Sequence, residues 1–187
     1  MTIRGLVAAV ALSCLVPAAS ATVLTFDDLS AEGLVPANYG GLNWGNSTWF
    51  AFGAEQAPFT AHSGDYRATV GWDGSEDSSA IAFNAPAHFL GAYFAGFEGV
   101  QLSFKLYLGD QLVGTSSTLA ASATPAFLSS GYTGLVDRIT LASNDHANFV
   151  MDDFTFTTAV PEPNSLSLAL AGLTAVGWIA RRRFGQV

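Results

Sequence analysis

Apolar segments at both ends of the chain limit the part that can fold as a globular body to the stretch between them. The first 21 residues have the three parts of a secretory signal, with Arg4 as a positive start, an apolar run from Leu6 to Leu15, and a small-x-small site at Ala19-Ser20-Ala21. This pattern predicts a signal peptide over residues 1–21 and a mature chain that begins at Thr22. The alternative, a buried helix at the start of a cytosolic domain, fits an apolar run with such a site less well.

The single cysteine, Cys14, lies inside this signal. A lipoprotein cysteine is the alternative, but a Leu is wanted three positions earlier and Ala11 stands there. The mature chain is therefore expected to contain no cysteine, which excludes disulfides and thiol chemistry. An exported domain of this size can bury a sufficient core without them.

Charge is distributed unevenly along the chain. Between Thr22 and Ala159 there are fourteen Asp and Glu residues against only three cations, Arg67, Lys105 and Arg138, which is a net charge of −11. Such a surface repels nucleic acid and anionic lipid head groups. It can attract cations, of which calcium is the obvious one outside the cell, although acidity that only keeps the domain soluble would also explain the pattern.

The C-terminal tail, residues 159–187, begins where two prolines bar both helix and sheet. Leu166 to Ala180 then runs without a charge, and Arg181, Arg182 and Arg183 close the segment. Fifteen residues give roughly 22 Å of helix, short of the ~30 Å hydrocarbon core. Extension of the helix to about Ser165 and snorkelling arginines compensate, and the arginines agree with the positive-inside rule. The pattern predicts a short transmembrane helix over residues 165–180.

The order of these parts resembles the PEP-CTERM sorting signal. The motif residues are Val160, Pro161, Glu162 and Pro163, followed by the apolar span and the arginine cluster. The resemblance covers about the last 28 residues. It implies a Gram-negative envelope protein that signal peptidase and an exosortase process, that the membrane holds in transit, and that reaches the cell surface or the biofilm matrix, where exopolysaccharide is a potential partner.

The body, residues 22–158, shows no 3.6-residue periodicity. Short runs of β-branched and aromatic residues recur between Gly, Asn, Asp and Pro, which predicts an all-β fold. The predicted strands are Val23-Phe26, Leu42-Trp44, Trp49-Phe52, Tyr66-Val70, Ala80-Phe83, Phe89-Phe97, Gln101-Leu108, Gln111-Ser117, Ala126-Leu128, Val136-Ala142 and Phe149-Thr157.

A hairpin is predicted at Gly109-Asp110, because a two-residue Gly-Asp loop suits a primed turn between alternating strands. Similar sequences at the two ends of the body, Thr25-Phe26 and Phe154-Thr155-Phe156, suggest that the first and last strands pair in one sheet. The expected architecture is an antiparallel β-sandwich of the jelly-roll kind.

Three segments of the body resemble those of other proteins with this sorting signal. They are Phe26-Asp27-Asp28, the Tyr39 to Trp44 segment, and Met151 to Phe154. The resemblance implies a galactose-binding-like jelly roll of the kind found in carbohydrate-binding modules.

Two acidic pairs, Asp27-Asp28 and Asp152-Asp153, are candidates for a structural calcium site. If the first and last strands are neighbours, side chains from both pairs converge, and calcium takes hard oxygen ligands. Adjacent strand residues point to opposite faces, so one Asp of each pair is expected to face inward. Solvated strand-end aspartates, or an aspartate bonded to loop amides, are the alternatives.

The same carboxylates do not indicate an enzyme. Glycosidases use two separated carboxylates, whereas adjacent aspartates are not an acid/base pair. His62, His88 and His146 lack metal-ligand spacing, and Ser63 lacks a nucleophile-elbow context. The chain is therefore predicted to be non-enzymatic.

Most aromatic residues of the body are expected to lie in the core, and a few are candidates for an exposed platform for sugar rings. Tyr39, Trp44 and Trp72 are the candidates, with Trp72 expected to be the most exposed because Gly71 and Gly74 flank it in a turn-rich stretch. The sequence thus predicts an exported surface or matrix protein, with a carbohydrate-binding module that attaches to exopolysaccharide as the alternative.

Overall fold

The structure is a computed structural model that describes residues 20–45, 47–71, 74–158 and 172–174. Residues 19–159 form a compact unit of their own. Several predicted segments lie outside the described residues: the signal peptide apart from Ser20 and Ala21, the sorting motif, the transmembrane segment apart from a helical turn at 172–174, the arginine cluster and Trp72. Among the residues described, no helix is long and apolar enough to cross a bilayer.

Twelve strands make up the described part of the body, and every registered pair of strands is antiparallel. The all-β prediction is therefore confirmed. The strands are β1 (Ala21–Leu24), β2 (Gly33–Leu34), β3 (Leu42–Asn43), β4 (Trp49–Phe52), β5 (Arg67–Val70), β6 (Ile81–Gly96), β7 (Gln101–Leu108), β8 (Gln111–Thr115), β9 (Leu119–Ala120), β10 (Ala126–Ser129), β11 (Val136–Ser143) and β12 (Phe149–Thr158). Two short 3₁₀ turns, Tyr39–Gly41 and Asp77–Ser79, interrupt them.

The long strand β6 links the two layers of the β-sandwich. Its first half pairs with β3 and β11, and its second half pairs with β12 and β10. The hydrogen-bonded order is β2-β4-β5-β12-β6-β11-β7-β8. Two strands were predicted where β6 runs unbroken through Pro86. Proline is tolerated there because the register with β11 shifts between Ala82 and Ala87, which leaves Pro86 in an irregular stretch.

Both predicted long-range and local pairings are confirmed. Strand β1 lies antiparallel to β12, with Thr22 opposite Phe156 and Leu24 opposite Phe154. The hairpin of β7 and β8 turns at Gly109, which has a φ of +60°, a conformation that glycine adopts without a steric penalty.

Aromatic side chains fill the interior between the layers. The largest buried rings pack mostly edge to face or tilted, as in the pairs Trp44 with Trp49 and Phe89 with Phe104. The fully buried aromatic residues are Phe26, Trp44, Trp49, Phe89, Phe94, Phe104, Phe149 and Phe154. Burial of each such side chain contributes roughly 1.5–3 kcal/mol, so this cluster is the main stabilising element of the sandwich.

Candidate functional site

The connection between β4 and β5, residues 53–66, runs along the outer face of the sheet and is called the strap here. Its residue His62 stacks on Tyr93 of β6, with ring centroids 3.3 Å apart and an interplanar angle of 11°. Its residue Phe59 packs edge to face against Phe97, which follows β6, at 5.5 Å. The strap therefore lies over β12 and β6 from outside.

Arg67, the first residue of β5, organises the strap from below. Its Nε donates to Phe59 O at 2.8 Å, Nη1 to Asp65 O at 3.0 Å, and Nη2 to Ala54 O at 2.5 Å. The guanidinium also lies over the Phe52 ring, 4.1 Å from its centroid. Burial lowers the pKa of Arg67 from its usual value. A buried cation with its donors bonded to carbonyl oxygens fixes the path of the strap.

Glu32 holds the N-terminal end of the strap. Its Oε1 accepts hydrogen bonds from Gly53 N and Ala54 N, both at 3.0 Å. These two backbone bonds lower the pKa of the Glu32 carboxyl. The carboxylate is thus ionised and held in one position at the start of the strap.

Asp152 and Asp153 of β12 both contact the same two strap residues. Asp152 Oδ2 accepts from His62 N at 2.7 Å and Ser63 N at 2.9 Å. His62 Nδ1 lies 2.5 Å from Asp153 Oδ2, and Ser63 Oγ donates to Asp153 Oδ1 at 2.7 Å. Burial raises the pKa of Asp152 to about 6, with the charge of Asp153 adding to the effect and the backbone bonds from Ser63 and the other amides opposing it.

Strict alternation along β12 fails at this point. Asp153 has a φ of +48°, and the register with β6 shifts between Asp152 and Thr155. This bulge brings both carboxylates to one segment, whereas the sequence predicts opposite faces. Aspartate tolerates the left-handed conformation better than most residues, which explains why this residue type can occupy the bulge.

Asp27, from the other predicted acidic pair, holds the C-terminal end of the strap. Asp27 Oδ1 accepts from Asp65 N at 2.8 Å and Tyr66 N at 2.9 Å. Gly64, with a φ of +53°, lies so close that a Cβ atom there would overlap the Asp27 carboxylate. Asp28 instead accepts from Tyr39 Oη at 2.6 Å. Burial and this bond raise the pKa of Tyr39.

For the predicted calcium site the structure gives a mixed arrangement. Three of the four aspartates, Asp27, Asp152 and Asp153, converge on the strap, and each accepts hydrogen bonds from it. Asp28 instead accepts a hydrogen bond from Tyr39. Among the described residues no group of three or more His, Cys, Asp or Glu side chains has the arrangement of a metal site. Calcium stays a prediction.

An open groove of about 770 Å³ lies beside the strap, and the sequence did not predict it. Its walls come from β2, β4, β5, β12 and the strap. Most of the lining side chains are apolar: Leu34, Phe50, Phe52, Ala54, Ala57, Phe59, Val70, Phe97, Ala147 and Val150. The polar or small lining residues are Glu32, Thr48, Gln56, Thr69, Gly71 and Asn148. A volume of this size is within the range of sites for small ligands.

Large apolar side chains at this groove remain open to solvent. Leu34 is 69 % exposed, Phe97 is 49 % exposed and Phe50 is 39 % exposed. Phe50 stands opposite Leu34 on one neighbouring strand and opposite Thr69 on the other. Directly opposed residues project to the same face, so these three side chains form one continuous wall on the outer face.

Two of the predicted sugar-contact residues do not lie on this surface. Trp44 is only 2 % exposed, packs against Trp49 and Phe154, and donates from Nε1 to Tyr39 O. Its ring faces are therefore closed to a sugar. Tyr39 is half-buried, stacked on Phe26 at 5.5 Å. Trp72 lies outside the described residues, next to the groove residue Gly71.

The histidines and Ser63 do not assemble a nucleophile and its base in the described part of the chain. Ser63 Oγ donates to Asp153, the same carboxylate that contacts His62. His88 Nδ1 lies near Thr133 O, and His146 Nε2 near Leu141 O. The contacts of all four residues are those of side chains that position loops.

Comparison with known proteins concerns mainly the tail. Residues 159–183 match the model of the PEP-CTERM protein-sorting motif, so the chain carries this motif in a β-sandwich protein. Among solved structures, the chain is similar to TmCBM61, determined in complex with β-1,4-galactotriose, at 13 % identity over 59 % of this chain and 81 % of that chain, with a TM-score of 0.34. No curated protein matches the chain.

Proposed function

We propose that the chain is an exported, non-enzymatic protein that an exosortase sorts through residues 159–183, and that its β-sandwich binds a glycan in the groove beside the strap. The first half of the proposal is supported by the sorting motif and by the predicted signal peptide. Motifs of this class imply export and membrane-associated sorting in Gram-negative bacteria.

Processing of the tail can be tested on the protein isolated from cells. In cells with an active exosortase we expect mass spectrometry to find a mature C-terminus close to the Val160–Pro163 motif. In cells that lack the exosortase, the terminus should be Val187. An intact terminus in both strains would contradict sorting by cleavage and would indicate a permanent anchor.

The groove is the observation that carries the second half of the proposal. Its wall presents the rings of Phe50, Phe52, Phe59 and Phe97 on the outside of the sandwich. Sugar rings have apolar C–H faces that pack on aromatic side chains, and their hydroxyl groups bond to polar groups at the rim. An aromatic groove open at the surface therefore suits a glycan chain.

Single truncations of the wall test glycan binding. The full chain in detergent is applied to a panel of immobilised polysaccharides, and Phe50→Ala and Phe97→Ala are compared with Leu112→Ala. Leu112 is a matched control because it is as exposed as these residues but lies in the β7–β8 hairpin, outside the groove. We expect each Phe variant to weaken binding about tenfold, as for a central contact residue.

Two outcomes would overturn the groove as the glycan site. One is binding that falls equally in the Leu112→Ala control, which would indicate a general effect of surface apolar residues. The other is a chain that binds no polysaccharide of the panel, or binds one that neither Phe variant affects.

The finer architecture belongs to the same proposal. A jelly roll of the galactose-binding-like kind is supported by the pairing of β1 with β12. Attachment to exopolysaccharide at the cell surface or in the biofilm matrix would follow from sorting and glycan binding together. The predicted structural calcium would act on the Asp27 and Asp152 region, where thermal melts with calcium and with chelator should differ.

A further inference from the structure

The groove combines aromatic walls with one ionised carboxylate. Glu32 is the only charged residue among those that line it, and no Lys, Arg or His belongs to the described lining. One oxygen of Glu32 is bonded to Gly53 N and Ala54 N. The carboxylate is exposed, so its second oxygen can accept further hydrogen bonds from a ligand.

The nearest described cation cannot serve the groove. Arg67 is buried beneath the wall residue Phe52. Its guanidinium donates to the carbonyl oxygens of Ala54, Phe59 and Asp65. These bonds use the donors of Arg67 within the protein. No pair of N–H groups is left to bind a carboxylate, sulfate or phosphate of a ligand.

The net charge of the whole body is negative, like that of Glu32. The body carries fourteen carboxylates against three cations. An acidic ligand is repelled on approach and meets a fixed negative charge at the groove. An uncharged sugar meets no such penalty, because its C–H faces fit the phenylalanine rings and its hydroxyls can donate to Glu32.

We infer that the groove selects uncharged glycan chains over acidic ones, and that Glu32 is the residue that recognises their hydroxyl groups. This inference rests on the proposed glycan binding. It names the ligand class, which the fold alone does not, and it assigns a specificity role to a residue that no sequence motif marks.

Glu32→Gln tests the role of the carboxylate. The glutamine keeps one carbonyl oxygen for Gly53 N and Ala54 N, so the start of the strap is retained, while the charge is lost and one acceptor becomes a donor. Asp110→Asn is the control, because Asp110 is an exposed carboxylate in the hairpin turn. Circular dichroism of each variant checks that the sandwich is intact.

The full chain is titrated with dextran, galactan and mannan as uncharged probes, with alginate and polygalacturonate as acidic probes, and with chitosan as a cationic probe. We expect at least tenfold tighter binding to one uncharged polysaccharide than to either acidic one. Glu32→Gln should weaken binding to that uncharged polysaccharide about fivefold and reduce the affinity difference between uncharged and acidic polysaccharides. Asp110→Asn should leave the affinity and this difference unchanged. Added salt should narrow the preference as well, since it screens the repulsion.

The outcomes separate this inference from the proposed function. Suppose that Phe50→Ala abolishes binding, but the parent chain binds acidic polysaccharides as tightly as uncharged ones, or binds chitosan most tightly. The inferred preference for uncharged glycans is then refuted, while glycan binding in the groove is supported. If Glu32→Gln binds like the parent chain, Glu32 does not contact the ligand. If no binding depends on Phe50, the proposed function itself fails.

Discussion

Apolar side chains lie on both faces of the sheet formed by β2, β4, β5 and β12, but for different reasons. On the inner face Trp49, Ala51 and Met151 are buried in the aromatic core. On the outer face Phe50 and Leu34 are open to water. An antiparallel sheet with one solvated face usually alternates apolar and polar residues. Burial explains the inner residues, and the glycan binding proposed above would explain the outer ones.

The outer face is itself divided. Over β12 and β6 the strap covers the sheet through polar contacts, in which Arg67, Asp152 and Asp27 bind its backbone. Over β4 and β2 the sheet is left uncovered. The uncovered part is the groove, and its wall depends on the strap, which contributes Phe59. The polar contacts of the strap therefore support the shape of the apolar site.

The largest effect is expected when the strap loses its buried cation. Arg67→Met keeps the length of the side chain but leaves carbonyl oxygens in the strap without donors. We expect the free energy of unfolding to fall by about 3–5 kcal/mol, measured by urea unfolding. Arg138→Met is the control, since Arg138 lies over the Tyr107 ring, 3.9 Å from its centroid. Loss of this contact should cost about 0.5–1 kcal/mol. Equal losses in both variants would refute the organising role of Arg67.

A second test uses the pH dependence of Asp152. Its pKa is about 6 in the folded protein and 3.8 as a reference, so the folded state binds more protons between these values. The contribution of Asp152 to stability is thus fully present below pH 3.8 and is lost as pH rises through about 6, by about 3 kcal/mol in total.

Asp152→Asn should lack this component. The neighbouring titratable groups, Asp153, His62 and Arg67, remain in the variant, so the difference between the two unfolding profiles from pH 4 to pH 7 isolates Asp152. Superimposable profiles would contradict the burial of this carboxylate. A stability difference that grows toward alkaline pH, with the variant relatively less stable there, would show the opposite sign.

The smallest effect is expected at the tight contact of the strap with Asp27. Gly64→Ala must adopt a positive φ and also displace the carboxylate, which should cost about 2 kcal/mol. Gly109→Ala has a similar φ of +60° with open space around it, and should cost about 1 kcal/mol. Thermal melts of both variants measure the difference. Equal losses in the two variants would show that backbone strain alone decides.

Local patterns predicted much of the fold. Alternation identified β7, and the Gly-Asp turn identified the hairpin, because both depend on neighbours in sequence. The segment Trp49-Phe50-Ala51-Phe52 is different. It is apolar at every position, so its pattern predicts a strand but not which residues face the core.

The groove could not be predicted for the same physical reason. Its wall brings together Glu32, Phe59, Phe97 and Val150, which are joined only by the pairing of β2, β4, β5, β12 and β6. The convergence of three aspartates on the strap likewise depends on a left-handed residue at Asp153. Trp44 shows the same limit, since the sequence offers it as one of several candidates for sugar contact and it lies in the core.

The position of β12 has a mechanical consequence. This strand contributes Val150 to the groove and Asp152 and Asp153 to the strap, and it ends at Thr158, directly before the sorting motif. Under the proposed function, tension on the C-terminal end of the body would enter β12 first. Antiparallel neighbours flank that strand on both sides, so a load along it would shear a row of hydrogen bonds together and would not peel them apart one at a time.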